Sequence, residues 1–105
     1  MNAEDRRDLL LSVQRALVGE VTANLYCVTA GWRGPNAIVM HMYFYSEPTD
    51  QERLDMESVA SEVVADFSRV SDIRVECSKA AGTPDTDDIW VFLRKEMPSD
   101  VLRRT

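Results

Sequence analysis

The hydrophobic period of this chain switches from helical to extended twice, and that rhythm restricts the fold more than any single motif. Residues 4–18 set Leu9, Leu10, Val13, Ala16 and Leu17 at helical spacing, one apolar face of an amphipathic helix. Asn2 stands at the N-cap, Glu4 and Asp5 suit the positive end of the helix dipole, and Gly19 stands where a helix stops. Leu25 to Trp32 and Ala37 to Tyr45 are rich in β-branched and aromatic residues. They predict two strands, joined by Arg33-Gly34-Pro35-Asn36 as a hairpin. The helical period then returns with Met56, Val59, Ala60, Val63, Val64 and Phe67. Thr49 and Glu52 open this second helix at capping-box spacing, and it should end near Ser68 or Arg69. Residues 71–78 alternate Ile73, Val75 and Cys77 with Asp72, Arg74, Glu76 and Ser78, the pattern of a half-buried strand. A loop of turn formers follows, and Ile89 to Arg94 reads as the last strand.

The order α-β-β-α-β-β predicts a single α+β domain over residues 1–105. Two hairpins, each preceded by a helix, pack most simply as a two-layer sandwich: a four-stranded antiparallel sheet with both helices on one face. The ordered part should cover about residues 4–96, with 97–105 frayed or in a short helical turn. Helix-facing positions read as Leu25 and Cys27, then Ile38, Met40, Met42 and Phe44, then Ile89, Val91 and Leu93. The opposite face would then carry Tyr26, Val28, Trp32, His41, Tyr43, Tyr45, Trp90 and Phe92. An aromatic face of that size marks an interaction site unless a loop or a second copy covers it. Tyr43, Tyr45, Trp90 and Phe92 are therefore candidates for a homodimer interface in an adaptor or structural domain.

Charge is distributed unevenly. Residues 47–66 hold seven carboxylates (Glu47, Asp50, Glu52, Asp55, Glu57, Glu62 and Asp66) against Arg53 alone, a balance equal to the formal net charge of -6 for the whole chain. A solvated helix usually interleaves both signs for i, i+4 support, so this one either tolerates self-repulsion or awaits a cationic partner. Such a partner would meet Glu52, Asp55, Glu57, Glu62 and Asp66, with Asp85, Asp87 and Asp88 of the loop on the same rim. The same acidity, a pI of about 4.7, argues against nucleic acid as the ligand of the aromatic face.

Sites of chemistry are scarce. His41 is the sole imidazole, and the sequence identifies no nucleophile or orienting acid beside it; a structural or interface histidine is the simpler reading. Cys27 and Cys77 lie in separate strands among apolar neighbours and read as buried free thiols, a disulfide or a reactive thiol being the alternatives. Asp85, Asp87 and Asp88 lack the twelve-residue calcium loop and read as an acidic turn. No cofactor, metal site or enzymatic activity is expected. No apolar run reaches the ~18 residues of a membrane span, and no secretory signal pattern opens the chain, so a cytoplasmic protein is expected.

Four stretches carry a family resemblance: LLLSVQRALVGEV from Leu9, the Gly31-Trp32 pair, TDQERLDMESVASEVVADF from Thr49 and WVFLRKE from Trp90. Between Leu9 and Glu96 the chain resembles small bacterial immunity proteins encoded beside contact-dependent growth inhibition and related polymorphic toxins. The resemblance implies an inhibitor that binds a cognate toxin domain and blocks its active site. It also implies a basic target, often a nuclease, which an acidic helix would attract.

Overall fold

A computed structural model describes residues 2–96; the expectation for the tail at 97–105 falls outside them. Six elements follow the expected order: α1 (Ala3–Ala16), β1 (Leu25–Trp32), β2 (Ala37–Phe44), α2 (Asp50–Ala65), β3 (Asp72–Lys79) and β4 (Ile89–Leu93). Both helices open on full capping boxes, Asn2 with Asp5 and Thr49 with Glu52. Past the end of α1, Gly19 adopts φ 82°, a left-handed conformation that suits glycine in the turn beyond a helix.

The fold is α+β with both helices on one face, but the sheet is mixed and not purely antiparallel. Its strand order is β3-β2-β1-β4. β1 and β2 form the expected antiparallel hairpin, with Ala30 opposite Met40 and Val28 opposite Met42. β3 instead runs parallel to β2, with Met40 opposite Val75, and β4 adds antiparallel to the far edge of β1. The anticipated second hairpin does not form. Two features favour this arrangement. The connection from β2 to β3 contains α2, the long crossover that parallel neighbours need. And β1, with no charge in eight residues, gains cover on both edges, while β3, which carries Asp72, Arg74, Glu76 and Lys79, takes an edge where charge is tolerated.

Edge placement of β3 and β4 has a further consequence. The nine residues between Lys79 and Ile89 must cross the whole sheet and return along its length, because β3 and β4 run the same way. Three strand spacings are about 14 Å. Ten Cα steps reach at most about 35 Å, enough for this crossing, and the segment lies across the sheet as a strap. It covers the face opposite the helices. Ala80 is buried there among Tyr26, Cys27, Tyr43 and Tyr45, a small second core, and the Tyr26 hydroxyl lies 2.9 Å from that of Thr83.

The main core lies between helices and sheet: Leu9 and Val13 of α1, Met56, Val59 and Val63 of α2, and Ile38, Met40, Met42 and Phe44 of β2, as the alternation predicted. In β1 Leu25 and Tyr26 take the expected faces, toward the helices and under the strap, but from Cys27 onward the faces are reversed. A bulge between Leu25 and Cys27 shifts the parity, so Val28, Ala30 and Trp32 turn toward the helices while Cys27 and Thr29 turn under the strap. Trp32 packs edge-on to Phe67 with ring centroids 5.3 Å apart, lies under the Arg69 guanidinium, and donates from Nε1 to the Asp5 carbonyl. A second irregularity, where β1 meets β4 at Val28 and Thr29, brings Phe92 against the helix-side core and leaves Leu93 exposed.

Candidate functional site

Helical geometry divides the surface of α2 more finely than its charge does. Successive residues advance about 100° around the axis. Glu52, Met56, Val59, Ala60 and Val63 occupy the buried arc. Outside it, Asp50 and Glu57 form one line of carboxylates, and Asp55, Glu62 and Asp66 form another. Between the lines runs an uncharged ridge of Gln51, Leu54, Ser58, Ser61 and Ala65. Leu54, 57% exposed, is the largest apolar side chain on it. The Asp50–Glu57 line borders β3, since Glu57 shares a groove with Ile73 and Val75. The other line borders α1, where Asp66 meets Ser12 and Arg15.

The carboxylates differ in what already holds them. Glu52 is buried and serves the fold: Oε1 accepts from the Thr49 amide at 3.0 Å and from Asn24 at 3.2 Å, and Oε2 accepts from the Thr22 hydroxyl at 2.9 Å. Burial pushes its pKa up, but the hydrogen bonds from Thr49, Thr22 and Asn24 outweigh that and hold it below the ordinary glutamate value. Asp66 ties the helices together, accepting from Ser12 Oγ at 2.6 Å and pairing with Arg15 at 3.3 Å. Glu47 pairs with Arg53. Asp55 accepts from Gln51. Asp50, Asp55, Glu57 and Glu62 have no ion-pair partner among the described residues. The acidic surface is these four residues, a smaller set than the seven in the sequence.

The loop acids do not extend that surface. Asp85, Asp87 and Asp88 belong to the strap, and Asp85 and Asp88 line a cleft of about 530 Å³ with Thr29, His41 and Tyr43 on the opposite face of the sheet. Asp88 is held by Arg33 through two hydrogen bonds of 2.9 and 2.8 Å. The aromatic face is divided as well. Tyr26 and Tyr45 pack under the strap with centroids 5.3 Å apart, Tyr43 stacks on His41 at 3.9 Å, and Phe92 turns to the helix-side core. Of Tyr43, Tyr45, Trp90 and Phe92, Trp90 alone is exposed and the other three are half-buried. The strap covers much of what a flat aromatic interface would have used. Cys27 and Cys77 are free thiols, and burial raises Cys27 to about 11.

Residues 6–96 match the family model of the MafI2 immunity protein. The chain belongs to the MafI2 immunity protein family. No curated protein sequence matches it.

Family membership makes a protein-binding surface the central question, and it bears on one arrangement that the sequence did not reveal. On the strap side, His41 Nε2 lies 2.9 Å from Ser78 Oγ, and its Nδ1 lies 3.5 Å from Glu76. The parallel register of β3 on β2 puts all three on one face, which a hairpin of β3 with β4 alone does not dictate. The order of groups resembles a nucleophile, base and acid. Acyl transfer also needs backbone donors aimed at a developing oxyanion. Ser78 lies near the C-terminal end of β3 opposite Tyr43, and its own amide points into the β2 ladder, as that of Ala80 does when it donates to Phe44. In this MafI2 family member the trio forms a cross-strand polar ladder. Burial lowers the His41 pKa, while Glu76 and then Asp88 pull it back up.

Proposed function

We propose that this protein neutralises a cognate toxin domain by binding it through the exposed surface of α2, with Asp50, Asp55, Glu57 and Glu62 as the electrostatic contacts and Leu54 as the apolar centre. The observation that carries this reading is the set of four carboxylates without a cationic partner among the described residues, in a chain of a family of immunity proteins. Each line spans seven residues, so its acids stand about 10.5 Å apart along the axis, flanking a ridge with a single large apolar side chain. Such a surface suits a partner with two rows of cations around a shallow depression. A nuclease substrate cleft has that character, because it must neutralise phosphates on both sides of a strand. Inhibition by occupying the cleft in the cytoplasm, where the nucleic acid lies, is the mechanism we favour, and it requires binding and no catalysis.

The double variant Glu57→Lys, Glu62→Lys tests this reading. Both residues are exposed and outside the capping network. Association with the toxin domain encoded by the adjacent gene should slow at least about tenfold at low salt, and the salt dependence of the rate should flatten. An association rate equal to that of the parent protein at every ionic strength would rule out α2 as the docking face.

A further inference from the structure

We infer that the outer edge of β3 is a second part of the binding surface, and that it takes up an extended, cationic segment of the toxin as an added strand. This rests on the proposed binding of a basic partner and locates where part of that partner goes. β3 ends the sheet, and along an extended strand successive residues direct their N–H and C=O groups to alternate edges. Ala80 donates to Phe44, which sets the even-numbered residues of β3 toward β2 and the odd-numbered ones outward. The backbone groups of Ile73 and Val75 therefore face away from the sheet, without a partner among the described residues. Further along, the Arg53 guanidinium donates to the Cys77 carbonyl at 3.3 Å and closes off that end. The vacant stretch is short and centred on Ile73 and Val75.

Beside this edge runs a groove of about 470 Å³ between α2 and β3. Its walls are Ala60, Val64, Ile73 and Val75, with Ser61 and Glu57 at the rim. A strand added to β3 would send alternate side chains into this apolar groove, while its backbone satisfies the vacant donors and acceptors. Charge selects the occupant. The groove is bordered by Glu57, which continues the line of Asp50, and cations flanking the inserted apolar side chains would meet both. A second copy of this chain fits less well. Antiparallel pairing centred on Val75 would match Arg74 with Glu76, but the same two-fold axis would bring the two Glu57 rims together.

Amide hydrogen exchange on the complex with the adjacent-gene toxin domain tests the assignment. Exchange at Ile73 and Val75 should slow at least about tenfold on binding, since strand addition protects outward amides. Val75→Pro removes one outward donor and no ladder bond, a substitution that edge strands accept, and it should weaken affinity about tenfold or more. Val64→Phe, on the groove wall and off the Leu54 ridge, fills the groove with no change of charge and should do the same. Binding without protection at both amides, or parental affinity in both variants, would overturn the edge assignment and leave the α2 reading standing; complete absence of binding by the parent protein would overturn both. Edge protection in the free protein at high concentration, together with dimeric mass by light scattering, would assign the edge to a second copy.

Discussion

Glu52 offers the sharpest test of dividing the acids of α2 into structural and surface groups. Replacing it with alanine removes the acceptor of the Thr49 amide, half of a capping box worth about 1 kcal/mol. It also strips Thr22 and Asn24 of a charged acceptor. Hydrogen bonds to ions contribute about 1.5–3 kcal/mol when buried. Thr22 and Asn24 are half-buried, and Asn24 keeps its bond to the Ser46 carbonyl, so about 1 kcal/mol each is the fair allowance here. The sum is about 3 kcal/mol, which in a domain of roughly 100 residues lowers Tm by more than about 10 °C. Glu57→Ala and Glu62→Ala, which remove exposed acids without cation partners, should stay within about 0.5 kcal/mol of the parent. Acid supplies a second check. Because the folded pKa of Glu52 lies below its ordinary value, its stabilisation is present above about pH 4.3 and is lost as pH falls through the folded value. The stability gap between the parent and Glu52→Gln should therefore close in acid. Thermal melts monitored by circular dichroism at a series of pH values measure both effects. A Glu52→Ala variant melting within about 2 °C of the parent would refute the reasoning, as would a Glu52→Gln gap that persists in acid.

Two further outcomes follow from the strap side of the sheet. The His41 ring should titrate below its ordinary pKa of about 6.5, because burial outweighs the pull of Glu76 and Asp88. Its neutral form then favours the fold above about pH 6.5, and that contribution fades as pH falls through the lowered value; an NMR titration midpoint above 6.5 would contradict the burial argument. Gly31 lies beneath the Arg33–Asp88 pair, where a Cβ would strike the Asp88 carboxylate and the Arg33 guanidinium. Gly31→Ala should open that pair at a cost of about 1 kcal/mol, and adding Arg33→Ala should cost little more; additive losses in chemical denaturation would show that the two are independent.

Much of this protein is legible from its amino-acid order because local physics decides it. The Asn2 N-cap, the Thr49–Glu52 capping box, the helical stripes, the β1–β2 hairpin and the inward set Ile38, Met40, Met42 and Phe44 all depend on residues close in the chain or on period alone. The family resemblance between Leu9 and Glu96 agrees with the match over 6–96. Tertiary structure decided the rest. Alternation marks β3 as a strand but does not choose its neighbour, and the choice of β2 over β4 turns the sheet from antiparallel to mixed. One bulge in β1 reverses the faces of Val28 and Cys27, a displacement that no period reveals. Charge counting marks α2 as acidic, yet Glu52 and Asp66 are consumed by Thr22, Asn24, Ser12 and Arg15, partners thirty or more positions away for all but Asn24, which is twenty-eight away. A carboxylate looks the same in sequence whether it caps, bridges or waits for a partner. Which of these it does depends on what the folded chain brings within about 3 Å of it, and long-range packing alone determines that.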